Sequence, residues 1–136
     1  MDVRVVKPSD RQADQVSGAM TRDAAISKGL VGADKIWVGH VVLPAGAVSA
    51  VHHHGEAESA IYVISGQARF QTGDDLSRVH DAEAGDFVWV PPHVVHVERN
   101  RSDTQAVEMV VVRSTQEFLV FNVDPPPGWE PDPLTP

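Results

Sequence analysis

The chain has 136 residues, 42% of them hydrophobic, which suits one folded domain with a core of its own. Its formal net charge of −8 comes from 19 acidic residues and 11 scattered basic residues. Because a nucleic-acid-binding protein needs a basic patch to neutralise phosphates, we do not expect nucleic acid as a partner. The chain has no cysteine, which excludes disulfides and thiolate metal ligands.

The apolar segments bear on the expected location of the protein. The first fifteen residues lack the apolar stretch of a secretion signal, and no apolar run is long enough to span a bilayer. We therefore expect a soluble, cytoplasmic protein without a membrane partner. The same first residues are not expected to contribute to the core.

The predicted elements are short strands, with one exception near the start. Residues 20–28 are expected to form a short helix or turn. The candidate strands after it, separated by the turn residues Gly, Pro and Asp, are residues 35–43, 60–65, 67–72, 77–80, 87–91, 94–100, 106–114 and 117–123. This pattern predicts a single all-β domain over residues 1–136, an antiparallel sandwich or barrel with its core at about 34–123. The proline-rich end is expected to be irregular, with Trp129 packed on the body or on a neighbouring subunit.

Three consecutive histidines lie in the middle of the chain, followed by two glutamates. Alternate side chains of a strand share a face, so His52 and His54 point one way and His53 points the other way. Glu56 or Glu58, just beyond, is a candidate third ligand. Two imidazoles on one strand face make half of a metal site.

A second histidine-bearing stretch, PPHVVHVERN, offers His93 and His96 as ligands from another strand. Imidazole binds several divalent metals well. A H-x-H pattern with a remote histidine in an all-β chain therefore favours a metal site over solvated histidines.

The two stretches resemble the two motifs of the cupin superfamily. The first motif, G-x5-H-x-H-x3,4-E-x6-G, is similar to Gly46–Gly66. The second, G-x5-P-x-G-x2-H-x3-N, is matched in every spacing by Gly85–Asn100, with His93 where the family usually has glycine. The resemblance implies a cupin fold, a small double-stranded β-helix barrel of two antiparallel sheets with a metal in its mouth. By position it implies the ligands His52, His54, Glu58 and His96, and a divalent ion such as zinc, iron, nickel or manganese.

The position of Glu58 departs from the first motif. Counted from His54 its spacing fits, but counted back from Gly66 the ligand position falls on Ser59. Because a slip of one residue reverses the face of a strand, Glu58 reaches the metal only if a bulge restores its direction. Otherwise His40, His53 or a water completes the coordination shell.

Further side chains are candidates for chemistry or for contact. Glu98 lies two residues after His96 and is either a general base or partner of an imidazole, or an exposed carboxylate. His40, His80 and His93 are interpreted first as satisfied or exposed histidines. Six aromatic residues are interpreted as barrel wall, with some facing the pocket: Tyr62, Phe70, Phe87, Trp89, Phe118 and Phe121. Strands 60–65 and 87–91 lack a polar face, which predicts a homodimer interface.

The resemblance leaves several functions open, because a fold does not determine its chemistry. We expect a metal-dependent enzyme acting on a small organic molecule in the barrel. Its chemistry would be of the Lewis-acid cyclase or isomerase type, as in polyketide cyclases that single-domain bacterial cupins resemble, or that of a dioxygenase if the metal is redox-active. The alternative is a non-catalytic cupin that binds a small ligand.

Overall fold

The computed structural model describes residues 1–14, 18–117 and 119–131. A 3-10 turn at Pro8–Asp10 precedes the first strand. The strands and the short helix are β1 (Gln12–Ala13), β2 (Thr21–Ile26), α1 (Lys28–Val31), β3 (Trp37–Leu43), β4 (His52–His53), β5 (Ser59–Ser65), β6 (Gln67–Thr72), β7 (Arg78–Glu83), β8 (Phe87–Val90), β9 (His96–Asn100), β10 (Val107–Arg113) and β11 (Phe121–Asn122).

Two antiparallel sheets face each other, which confirms the predicted all-β architecture. One sheet has the strand order β1-β2-β3-β10-β5-β8 and the other has the order β11-β4-β9-β6-β7. Strands that are neighbours in the sequence often lie in different sheets, so the chain crosses repeatedly between them. Among the described residues, no helix has both the length and the apolar character needed to cross a membrane.

The core lies between the sheets and is built by strict alternation. In β3 and β10 every second side chain is buried, and Leu43, Val107 and Met109 have no exposed surface. A smaller cluster forms around Val51, Leu76 and Val97, and Trp129 packs against it. The expectation that Trp129 contacts the body is confirmed.

The expectation of a helix or turn over residues 20–28 is wrong. This segment contains β2, which pairs antiparallel with β3 and buries Arg22 and Ala24. Pairing with β3 prevails over a local preference for helix. The helix α1 starts two residues after β2, where the hydroxyl of Ser27 accepts a hydrogen bond from the N–H of Leu30.

The ends of the chain follow expectation more closely. None of residues 1–14 is buried, as the sequence predicted. The strand expected at 117–123 is shorter, since among its described residues the strand that pairs with β4 is Phe121–Asn122. Phe118 lies outside the described residues.

Candidate metal centre

Three buried histidines converge between the sheets. His52 on β4 lies directly opposite His96 on β9, and His54 follows β4 on the same face as His52. One nitrogen of each imidazole lies within 4.8 Å of those of the other two. The structure therefore brings together three of the four ligands that the resemblance implied.

Each imidazole is held by a main-chain carbonyl. Because a carbonyl oxygen only accepts hydrogen bonds, each Nδ1 carries a proton, and the lone pair of the neutral form lies on Nε2. The Nε2 atoms of His52 and His96 are buried without a hydrogen-bond partner among the described residues. Buried lone pairs with the opposite nitrogen anchored are what a metal ligand requires, so the donor set fits a divalent ion. The Nδ1 to oxygen distances are 2.7 Å from His52 to Ala50, 2.8 Å from His54 to Leu119 and 2.9 Å from His96 to Val94.

The surroundings keep two of the rings neutral. Burial, aided by the neighbouring His96, lowers the pKa of His52 to about 4. Burial and the charge of Arg113 lower the pKa of His54 to about 2. Neutral imidazole is the form that binds a metal, so no proton has to leave these two rings at neutral pH.

Glu58 lies outside this group. Inside β5 the buried side chains are Ser59, Ile61 and Val63, and Glu58 precedes them on the opposite, exposed face. There its Oε1 accepts a 2.7 Å hydrogen bond from Nε1 of Trp89. Ser59 occupies the inward position instead, 3% exposed, with a hydroxyl that has no partner among the described residues. This is the face that counting back from Gly66 assigned to Ser59.

Glu98 does lie inside the barrel. It is two residues after His96 on β9 and is 5% exposed, so the alternative of an exposed carboxylate is wrong. Its Oε2 has no hydrogen-bond partner among the described residues. A buried carboxylate oxygen that has no such partner and lies beside a possible metal site is available to accept or donate a proton.

The four other histidines do not join the cluster: His40, His53, His80 and His93. Nε2 of His40 lies 3.1 Å from a carboxylate oxygen of Glu108 on the outer side of the sheet. The ring of His53 stacks on Phe121 at 5.0 Å between centroids. Neither His40 nor His53 therefore replaces Glu58.

Two buried arginines are part of the site and were not anticipated. Arg22 is 4% exposed and Arg113 is 3% exposed, and both pack against the ring of Trp37. Burial lowers the pKa of Arg22, and burial lowers that of Arg113 to about 10, while Glu98 and Asp14 act in the opposite direction. The guanidinium of Arg113 therefore still carries its charge at neutral pH. Alternation was the available signal, because Arg113 occupies an inward position of its strand.

A cleft leads from the surface towards the histidines. It has a volume of about 540 Å³, and its inner wall includes Phe70, Val88, Val94 and His96. Behind it lies a cavity of about 10 Å³, lined by Arg22, Arg113, His54, His96, Ser59 and Glu98 among others. Of the aromatic residues expected in the wall, Phe70 is buried and faces the cleft. Phe87 and Trp89 also line the cleft but are largely exposed, and Tyr62 is exposed on the outer face.

A barrel of two antiparallel sheets with histidines converging inside defines the cupin class of proteins. Residues 39–113 match the family model Cupin_2 (Cupin domain), and the chain belongs to this family. The resemblance found in the sequence is thereby confirmed. None of the curated proteins compared with the chain matches it.

Solved structures share the fold at low sequence identity. The polyketide cyclase RemF from Streptomyces resistomycificus superposes with a TM-score of 0.75 and 23% identity, over 90% of this chain and 87% of its own. The S161A mutant of Bacillus subtilis oxalate decarboxylase, an enzyme with Mn(II) centres, superposes with a TM-score of 0.71 and 21% identity. The match covers 85% of this chain and 30% of the decarboxylase chain. An uncharacterised double-stranded β-helix protein from Klebsiella pneumoniae superposes with a TM-score of 0.69 and 20% identity, over 90% of this chain and 99% of its own.

Proposed function

We propose that this protein is a metal-dependent enzyme that acts on a small organic molecule entering through the cleft. His52, His54 and His96 would hold the metal, each through Nε2. Bound there, a divalent ion would supply a Lewis acid for a carbonyl or enolate oxygen. Three imidazoles suit zinc, iron, nickel or manganese, and the Mn(II) centres of oxalate decarboxylase are consistent with the last of these.

The buried carboxylate of Glu98, whose Oε2 has no hydrogen-bond partner in the part of the chain that the structure describes, is the observation that carries this proposal. It lies on the same strand face as His96 and lines the inner cavity with His54. A carboxylate at that position would take a proton from a carbon beside a carbonyl and return it at another atom. This role favours cyclase or isomerase chemistry over that of a dioxygenase, and the fold shared with RemF agrees with it.

The cleft offers an apolar surface beside the histidines. Phe70, Val88 and Val94 would contact the apolar part of a substrate, and Arg78, Asp81 and Asp86 line the cleft as well. Glu58, implied as a ligand by the resemblance, would instead stabilise the outer face through Trp89. Its coordination position would be left to water or substrate.

The outer face of β5 and β8 supports a homodimer. Tyr62, Ile64, Phe87 and Trp89 are exposed by 38%, 42%, 79% and 65% on neighbouring strands. Exposed apolar groups of this size and proximity are typical of an interaction surface. The organisation of residues 1–136 as one domain and the cytoplasmic location stay predictions.

Two measurements test the proposed enzyme. The first is the metal content of protein without a histidine tag, compared with His52→Ala, His96→Ala and the control His80→Ala. About one metal per chain, lost in the first two variants only, is expected. No metal in the wild type after incubation with divalent ions would refute the proposal.

The second measurement is deuterium uptake from D2O by a panel of 1,3-dicarbonyl compounds, followed by NMR. Glu98→Gln is expected to keep the metal and to slow the exchange by about 100-fold or more. Metal binding without any exchange in the wild type would favour the alternative of a non-catalytic binding module.

A further inference from the structure

Buried donors without acceptors surround the inner cavity. Nε and Nη1 of Arg22 and Nε of Arg113 are inaccessible to solvent and have no hydrogen-bond partner among the described residues. A buried charged donor without a hydrogen-bond acceptor is unfavourable, so proteins rarely keep one without use. Both arginines line the cavity next to His54 and Glu98. Their free donors point to an anionic ligand.

Trp37 holds the two guanidinium groups in place. Their Cζ atoms lie 5.7 Å (Arg22) and 5.1 Å (Arg113) from the centroid of its ring. The ring lies over Gly39, where a Cβ atom would collide with it, so only glycine leaves room for this packing. A fixed pair of guanidinium groups loses little entropy when it binds a planar anion.

The dimensions describe the shape of the ligand. The cavity of about 10 Å³ has room for a group of about the size of one water. Val90 and His96 line both this cavity and the cleft of about 540 Å³. A matching ligand therefore reaches the arginines with one oxygen of its head group, and the rest of the head group and an apolar body lie in the cleft along Phe70 and Val88.

The charges decide the sign of the head group. Arg22 and Arg113 are balanced by Glu98 and by Asp14, which acts on both of them. The neutral His52 and His54 add no charge. A divalent ion would leave the interior with two uncompensated positive charges, which an anionic head group would offset.

We propose that the inner end of the cleft binds the carboxylate of an aromatic or aliphatic acid through Arg22 and Arg113. This inference rests on the proposed function only in naming its substrate class, because the arginines can bind a carboxylate without a metal. A guanidinium group makes a stronger, charge-assisted hydrogen bond to a carboxylate oxygen than to the oxygen of a neutral amide of the same shape.

The test compares benzoate with its neutral isostere benzamide, each titrated into the metal-free and the metal-loaded protein. The Nε–H signals of arginine in ¹⁵N NMR report the contact directly. Selective shifts of the Arg22 and Arg113 signals with benzoate, and at least about tenfold weaker binding of benzamide, are expected. Equal binding of the two compounds, or binding of neither, would overturn the inference.

Variants separate the guanidinium geometry from its charge. Arg113→Lys keeps the charge but loses the planar guanidinium group and its fixed donors, and is expected to weaken benzoate binding by about tenfold or more. The control Arg101→Lys, at a half-exposed arginine paired with Asp81, is expected to leave it unchanged. If Arg113→Lys fails to fold, the wild-type spectra still decide.

The metal state distinguishes this inference from the proposed enzyme. Selective benzoate binding by a protein that takes up no metal would support the arginine site and refute the metal centre. Metal uptake without a preference for benzoate over benzamide would support the metal centre and refute the arginine site.

Discussion

Nε1 of Trp89 donates a 2.7 Å hydrogen bond to Oε1 of Glu58 on the outside of the barrel, while the next residue, Ser59, points inward. A single step along the strand thus separates a surface carboxylate from the candidate metal centre. Because side chains alternate with a period of two, no rotation of the Glu58 side chain alone would bring it to the inner face.

Removing the carboxylate of Glu58 should therefore leave the metal in place. We expect Glu58→Ala to keep the wild-type metal content and to lower the free energy of unfolding by about 0.5–1.5 kcal/mol, the contribution of one hydrogen bond. His52→Ala is the contrasting variant and should lose the metal. Elemental analysis decides, and loss of metal from Glu58→Ala would show that this carboxylate reaches the centre.

The stability of the metal-free protein should fall in mild acid. The pKa values of His52 and His54 are about 4 and about 2, below the usual 6.5, so below pH 6.5 the unfolded chain binds more protons than the folded chain. Stability is therefore complete above pH 6.5 and decreases as the pH falls towards 4, by roughly 1.4 kcal/mol per pH unit for each histidine.

Urea denaturation from pH 7 to pH 4.5 measures this dependence. His54→Gln should reduce the slope of unfolding free energy against pH by the contribution of one histidine. The exposed His80, replaced by Gln, should not change this slope. An unchanged slope in His54→Gln would show that this ring is not kept neutral by the fold.

Gly66 and Gly85 offer a matched pair of turn positions. Their φ angles are 91° and 95°, but a Cβ at Gly66 would lie 2.6 Å from the carbonyl oxygen of Ala106, whereas at Gly85 it would meet no atom within 4 Å. Gly85→Ala should cost about 1–3 kcal/mol of backbone strain. Gly66→Ala should cost about 1–3 kcal/mol more from overlap. Equal denaturation midpoints would contradict the steric difference.

Asn100 should act on stability and not on metal binding. Its Nδ2 lies within 3.1 Å of the carbonyl oxygens of Leu43, Pro44 and Gln105, and its Oδ1 accepts from the N–H of Ser102. Asn100→Ala should lower the free energy of unfolding by about 2–4 kcal/mol, because buried main-chain groups lose their partner.

The exposed Asn122, replaced by Ala, serves as the control and should change stability little. Thermal unfolding and elemental analysis together test the assignment. Loss of metal from a folded Asn100→Ala protein would contradict a purely structural role.

The proposed dimer should depend on the apolar outer face. Replacing Phe87 and Ile64 by serine should convert a dimer into a folded monomer, which light scattering after size exclusion detects. The exposed Val79, on the other sheet, is the control position. A wild type that is monomeric at micromolar concentration would contradict the proposed interface.

The alternation of side chains along strands predicted the histidines of the candidate metal centre and part of their surroundings. It placed His52 and His54 on one face, and the second motif supplied His96, because these positions lie within regular strands. The same rule put Glu98 beside His96. It left the direction of Glu58 open, since the loop before β5 allows either Glu58 or Ser59 to be the first inward residue. The pairing of β5 with its neighbouring strands determines that Ser59 points inward.

The arginines could not be predicted with the same ease. Arg22 lies in a segment interpreted as helix or turn, and it becomes an inward strand residue only through pairing with β3. Arg113 ends an apolar run, where an arginine ordinarily reaches solvent. Alternation along β10 indicates the inward position of Arg113, but no local pattern contains the packing of both guanidinium groups on Trp37.

The carbonyl anchors of the three imidazoles have a consequence for how such a site changes over evolution. The anchoring oxygens belong to the main chain at positions 50, 94 and 119, and every amino acid provides one. Substitutions at these positions can change the side chains, including Val94 in the cleft wall, while the ring orientations persist. The orientation of the three imidazoles therefore tolerates substitutions at the anchoring positions. A barrel of this kind can change its substrate while its three histidines keep their arrangement.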